Sequence, residues 1–466
     1  MNKILEKDFL NGDISALGNA YQTKEITPTE VTRMILERIS MDDTNSYITV
    51  TADEAMAQAE QAEIEMKQGN NKGPLHGVPM AIKDNIDTQG IPTTKGSAIY
   101  KDYLPDRDAT VARKLKEAGA VILGKLNMHE FAYGTTGDRS FAGPVKNPHN
   151  LNKISGGSSS GSGAAVAASL CYAALGTDTG GSIRIPSSYN GLVGMKPTFG
   201  RVSNFGVFPL CWTLDHVGPM TRSVRDNALL MNVLAGFDDQ DPYSAKEPLD
   251  DYTSLIEAGV EGNIIGIPSG DFFSGGDPQV ERNYQQAIDI YKEEKAVIKT
   301  VDLPDMEEVL AAFRTILSSE AYTLHEHRLN GNAGLWDEEV RTRLLKAKEM
   351  YAKDYILAQL IKRKAIRAFE KLFKEVEVLL IPTVPILPVN IGQRETKLKG
   401  SSIHISFMLN RYTGPFNLTG LPSITVPSGK SIEGLPLGIQ LVGKPFDEAN
   451  MYRFAAVLEQ EINLQR

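Results

Sequence analysis

The sequence holds only two cysteines, Cys171 and Cys211, and seven histidines in 466 residues. Two cysteines this far apart cannot make a zinc ribbon or finger, and they exclude a disulfide scaffold. Neither an HExxH helix nor an EF-hand loop is present, so no metal and no cofactor is expected. Long apolar runs are also scarce. The longest uncharged stretch, Ile154 to Thr177, is filled with Gly and Ser in its first half. Its apolar remainder, Ala164 to Leu175, has 12 residues, too few to span a bilayer. The N-terminal MNKILEKDFLNGD lacks an apolar core of signal-peptide length. Basic charge is in deficit, with 49 Lys and Arg against 58 Asp and Glu and a net charge of −9. That balance argues against general nucleic-acid binding, which needs basic phosphate contacts. The expectation is a cytoplasmic protein with no membrane partner.

What remains is a globular balance, 41% apolar and 23% charged, long enough for a large core. Thr27-Pro28-Thr29-Glu30 reads as a helix start, with Thr27 as cap and Pro28 at the first helical position. Ala52 to Lys67 and Thr110 to Ala118 read as helices. Val78 to Lys83 and Val121 to Leu123 read as buried strands. Helix and strand alternate, which points to an α/β sheet. Ala164 to Leu175 has helical composition. From about Ser223 to Val376 charge and helix formers increase, and the interval reads as a helical insertion. Its basic cluster, Lys362-Arg363-Lys364, reads as a solvated helix face. Val376 to Ile381, Ser423 to Pro427 and Leu437 to Val442 read as further strands. No linker marks a boundary, so residues 1–466 are expected to form one large domain, with the more variable insertion at about 223–376.

Glycine is plentiful, at 41 residues, and ten of these fall between Ser155 and Gly200. Three segments there and upstream carry chemistry. Lys83 sits in an apolar strand, on the face opposite Asp84. Buried without a carboxylate it would lose proton affinity and serve as a base; at an edge it would merely reach water. Gly156 to Gly163 is a loop of glycines and serines. A phosphate cradle would need the Walker lysine, which is missing. Gly157 to Gly161 fits G-x-S-x-G around Ser159, but a nucleophile elbow needs a strand before it and a histidine partner later. Asp178-Thr179-Gly180 matches an aspartic-protease triplet with no second copy in the chain. Gly180-Gly181-Ser182 can turn tightly and aim successive N–H groups at one point, as an oxyanion hole requires; an ordinary tight turn is the other reading.

Taken together, Lys83 in A-I-K-D-N, the G-G-S-S loop, G-T-D-T-G-G-S-I-R and G-L-V-G-M-K-P-T resemble the amidase signature family. Ser158 precedes Ser182 by 24 residues, a separation typical of that family. Gly77-Val78-Pro79, Gly124 to Met128, Leu214 to Pro219 and Asn417 to Pro422 extend the resemblance over nearly the whole chain. It implies an α/β fold with a central mixed β-sheet flanked by helices, and a Ser-Ser-Lys triad. Ser182 would be the nucleophile, Ser158 (in a cis peptide in this family) the relay, and Lys83 the general base. The backbone N–H groups of Thr179, Gly180, Gly181 and Ser182 would form the oxyanion hole. Asp178 and Arg184 read as a structural ion pair. Ser160 stands where the family often has Gly. Tyr133, Gly134, Thr135, Phe208, Cys211 and Trp212 are candidates for the walls of the substrate pocket.

The activity implied is hydrolysis of a non-peptide amide to a carboxylate and ammonia or an amine. The family includes the glutaminase component of glutamyl-tRNA(Gln) amidotransferase, its A chain, which hydrolyses glutamine and passes ammonia to a partner. In that component, an acidic residue before N-L-A-G grips the substrate ammonium; Asn410 occupies the matching place here. A neutral amide holds an ammonium less well than a carboxylate does. The sequence therefore favours a stand-alone hydrolase of a small amide. The amidotransferase component, with its partner subunits, is the alternative.

Overall fold

The computed structural model describes residues 9–331, 333–398 and 400–464. Eleven strands form one sheet. In chain order they are β1 (Tyr47–Val50), β2 (Pro79–Lys83), β3 (Val121–Leu126), β4 (Ala173–Thr177), β5 (Val193–Lys196) and β6 (Val217–Thr221). They continue as β7 (Ile264–Pro268), β8 (Val297–Val301), β9 (Val378–Pro382), β10 (Ser423–Lys430) and β11 (Pro436–Gly443). Across the sheet the order is β1-β3-β2-β4-β6-β5-β10-β11-β9-β7-β8. The sheet is mixed. β2 runs parallel to β3 and β4, and β7 parallel to β8 and β9. From β4 through β6, β5, β10 and β11 to β9 the pairing is antiparallel.

Every residue of β2, β3, β4, β6, β9 and β11 is buried. Helices cover both faces, which is why these strands read as continuous apolar runs rather than alternating ones. The helix Pro28–Ser40 starts as its sequence dictates. Thr27 accepts from the Glu30 N–H, and Glu30 Oε2 accepts from the Thr27 N–H at 2.9 Å, closing a capping box.

Two expectations change. The helix expected over Ala164 to Leu175 occupies Ser160–Ala167 instead, and Ala173–Thr177 is strand β4 at the centre of the sheet. Ser169, at φ 56°, turns the chain out of the helix. A short apolar run carries no periodicity that separates buried helix from buried strand. The interval 223–376 is not all helix either. It supplies β7 and β8, which extend the sheet beyond β9. Its long helices, Met306–Leu329 and Ala352–Leu372, pack against each other. Within its basic cluster Arg363 and Lys364 are exposed, while half-buried Lys362 donates to Thr213 O at 3.3 Å. Among the described residues no helix is long and apolar enough to cross a membrane.

Candidate active site

Parallel neighbours β2 and β4 both end at the same edge of the sheet, and their last residues meet. Lys83 closes β2 and is fully buried. Its Nζ lies 2.7 Å from Ser158 Oγ and 2.7 Å from Thr177 Oγ1, at the end of β4. No carboxylate pairs with it among the described residues. Asp84, on the opposite face, accepts instead from the Thr94 N–H at 2.9 Å and from the Thr94 hydroxyl. Burial lowers the Lys83 ammonium to about 7, against the pull of Asp178 and Asp215 in the other direction. The base reading of this lysine thus acquires its physical cause, and the edge reading is excluded.

Ser158 follows a cis peptide after Gly157 and is fully buried. Ser159 is tied down on both sides. Its N–H donates to Ser182 O at 3.2 Å and its hydroxyl to Thr177 O at 3.1 Å. That brings the serine loop against the loop of Ser182 and leaves Ser159 no role as an elbow nucleophile. Ser182 opens onto a small chamber of about 20 Å³.

The loop before Ser182 is shaped by a buried ion pair. Arg184 Nη2 lies 2.9 Å from Asp178 Oδ1, and Arg184 Nε 3.0 Å from Oδ2. Burial pushes the Asp178 carboxyl up, but the Arg184 guanidinium outweighs it and holds the group well below the usual carboxylate range. The same carboxylate accepts from the N–H groups of Gly181, at 2.7 Å, and Ile183, at 3.1 Å. This corrects the expected oxyanion hole. The Gly181 N–H faces Asp178 and is not available to a substrate. The N–H groups of Thr179, Gly180 and Ser182 have no acceptor within the described residues. Gly181 has φ +124°, and a Cβ there would lie 2.3 Å from Thr413 Oγ1, so no other residue fits this turn.

Tyr133, Gly134 and Thr135 line the chamber, as expected. Cys211 does not. Its neighbour Leu210 faces the chamber, and the Cys211 thiol points away, donating to Glu320 Oε2 at 3.1 Å. Phe208 packs among Tyr100, Phe131 and His325, and neither it nor Trp212 lines the chamber. Four wall residues come from distant parts of the chain: Phe313, Leu317, Arg343 and Asn410. Of these only Asn410 carries a signal in the sequence, its place before Asn417-Leu418-Thr419-Gly420. Asp215 is a further contributor that sequence reasoning misses. It accepts from Thr179 Oγ1 at 2.6 Å and from the N–H groups of Leu210 and Cys211, joining the oxyanion loop to the chamber wall. Burial raises it to about 7. Arg343 donates to Tyr133 O at 3.4 Å, stacks on the Tyr133 ring at 4.2 Å and makes no ion pair among the described residues. Beyond it opens a vestibule of about 370 Å³ that also holds Arg139, Lys346 and His404.

The family profile described as Amidase matches residues 30–451. The chain belongs to the amidase family. It is therefore an amidase-type hydrolase of the Ser-Ser-Lys kind, with the α/β fold that its resemblance implied. It is 40% identical to the A chain of glutamyl-tRNA(Gln) amidotransferase from Geobacter sp. (strain M21), over 96% of both proteins. Its fold matches a structure described as a vestigial protein complex revealing the origins of an s-triazine catabolic enzyme. There the TM-score is 0.93 and the identity 31%, over 97% of this chain and 98% of that one. It also matches the peptide amidase of Stenotrophomonas maltophilia, with a TM-score of 0.84 and 30% identity over 97% of both chains.

The ion pair yields a prediction for this amidase. Arg184→Ala leaves Asp178 buried and unpaired, which costs about 3–5 kcal/mol and frees the oxyanion loop. Urea unfolding of the variant should show that loss together with loss of amide hydrolysis. A stability within about 1 kcal/mol of the parent, a difference expected of an exposed pair, would contradict this account.

Proposed function

We propose that the chain cleaves a carbon–nitrogen amide bond through an acyl-Ser182 ester, as the ammonia-releasing component of an amidotransferase-type assembly. The chemistry rests on one observation, the buried 2.7 Å contact between Lys83 Nζ and Ser158 Oγ beside the chamber that Ser182 faces. Neutral Lys83 takes the Ser158 proton as Ser158 takes that of Ser182. Ser182 Oγ attacks the carbonyl carbon, and the oxyanion meets the N–H groups of Thr179, Gly180 and Ser182. The proton returns through Ser158 to the departing nitrogen, which leaves as ammonia or an amine. Water, deprotonated along the same relay, opens the ester and frees the carboxylate.

The assembly is supported by the relatives. The Geobacter protein, similar over nearly its full length, is named as one component of an amidotransferase, and a solved relative is described as part of a protein complex. These names favour the alternative over the stand-alone hydrolase that the sequence favours. A cytoplasmic site of action belongs to the same proposal, supported by two cysteines that remain buried thiols.

One observation favours a second reading. Asn410 lines the chamber where an acid would grip an ammonium, and Arg343 is the one charged lining residue there among those described. A guanidinium with no ion-pair partner among the described residues, beside a neutral amide, fits an amide that carries a carboxylate but no ammonium. A hydrolase of such amides would need no partner.

Ammonia release measures both readings. Lys83→Ala and Ser158→Ala should each lower kcat/KM by about 10²–10⁴-fold, and Ser182→Ala should abolish turnover; near-parental rates in either of the first two would remove that residue from the relay. Because only neutral Lys83 accepts a proton, kcat/KM should rise with pH through about 7 and be lost below it. A flat profile across that range would contradict Lys83 as the base. The assembly reading expects glutamine turnover that increases when partner subunits and tRNA are supplied. The second reading expects glutaramate, which is glutamine without its α-amine, to be preferred by the chain alone, and Asn410→Asp to move the preference towards glutamine. Equal turnover of the two amides by parent and variant would remove Asn410 from recognition.

A further inference from the structure

The roof of the chamber comes from one face of the helix Met306–Leu329. Phe313, Leu317 and Glu320 follow at spacings of four and three, so they project from the same side. Phe313 is fully buried, and its ring rests on two glycines from separate elements. A Cβ at Gly180, in the oxyanion loop, would lie 2.6 Å from Phe313 Cζ; one at Gly414, which opens the short helix Gly414–Leu418, would lie 2.8 Å from Cδ1 and Cε1. The ring therefore touches the backbone that holds the substrate carbonyl, and it has no room to sink further.

Glu320 fixes the same helix two turns on from Phe313. It accepts from Thr213 Oγ1 at 2.6 Å, the Thr213 N–H at 3.1 Å, the Cys211 thiol at 3.1 Å and Tyr355 OH at 2.9 Å. Lifting the roof would strip a buried carboxylate of these partners, which is costly. The space beneath the roof is about 20 Å³, room for about one water. Arg343, by contrast, is only half-buried and borders the larger vestibule. The chamber is closed on the Phe313 side and borders the vestibule on the Arg343 side.

We propose that Phe313 is the residue that limits the length of an uncharged acyl chain in this enzyme. Resting on Ser182 as the nucleophile, the proposal is that the acyl group bonded to Ser182 lies under the Phe313 ring and must be short and unbranched there. A longer acyl group that ends in a carboxylate, as those of glutamine and glutaramate do, extends only towards the Arg343 guanidinium, a path that offers an uncharged chain no partner. Phe313 contributes no proton and no donor; it acts by occupying volume.

The test uses the full chain and two probe series. One is primary amides from acetamide through butyramide to hexanamide, read by ammonia release. The other is alkyl fluorophosphonates of one to eight carbons, read as covalent labelling of Ser182 by intact mass, with Ser182→Ala as control. Wild type should favour the short member of each series. Phe313→Ala should raise the long-to-short ratio by about tenfold or more, as removal of a pocket's steric limit does. Where that variant does not fold, Phe313→Leu reads the same ratio. A ratio within about twofold of wild type in a folded, labelling variant would overturn the proposal. Failure of every phosphonate to label wild-type Ser182 would overturn the nucleophile reading itself, and the roof proposal with it.

Discussion

The Asp178 carboxylate is the point through which the active site is assembled. It receives two N–H groups of the loop that follows it, the fork of Arg184, and Asn417 Nδ2 at 2.9 Å. Arg184 in turn donates to Thr413 O, to Asn417 Oδ1 and to Gln440 Oε1 on β11. Residues more than 200 positions apart in the chain thus converge on one buried charge pair. Burying two ions is costly unless every lone pair and proton finds a partner, and here the partners are the backbone of the nucleophile loop itself. The pair therefore dictates where the loop's remaining N–H groups point. Gly181 is drawn inward to Asp178, and Thr179, Gly180 and Ser182 are left free on the chamber side.

Lys83 illustrates the reverse constraint. Several lysines are buried in this protein, but their surroundings differ. Lys125 has Asp84 and Asp87 nearby and donates to Thr93 Oγ1 and to Ile86 O. Lys83 meets two hydroxyls and no carboxylate. Loss of solvation disfavours the charged form at both sites, lowering Lys125 to about 8 and Lys83 to about 7, and it is Lys83 that has the Ser158 hydroxyl beside it. Strand alternation turns Asp84 away from Lys83, so its carboxylate binds Thr94 instead.

The proposed triad was legible because it lies in local motifs. Lys83, Ser158 and Ser182 belong to short segments whose glycine and apolar context survives inspection one window at a time. The oxyanion hole was legible only in part. Which N–H a carboxylate would claim depends on the side-chain geometry of Asp178, three residues before Gly181. The pocket was the least legible. Phe313 and Arg343 lie on helices of the 223–376 interval, more than 130 residues from Ser182, and nothing in a helical apolar stripe says which face meets an active site. Cys211 failed for a related reason: it is adjacent to Leu210, a true wall residue, but consecutive side chains diverge.

By itself, the sequence determined the capped helices, most buried strands, the family and the three residues proposed for the relay, since these follow from residue type and near-neighbour spacing. It also carried the glycine at 181 that the turn demands. Only the tertiary structure decided that Ala173–Thr177 is a central strand, that β7 and β8 extend the sheet, and that Phe313, Arg343 and Asn410 surround Ser182. Those outcomes are long-range. They depend on which surfaces the sheet brings together and on how two buried charges satisfy their hydrogen bonds, and neither is written in any local window.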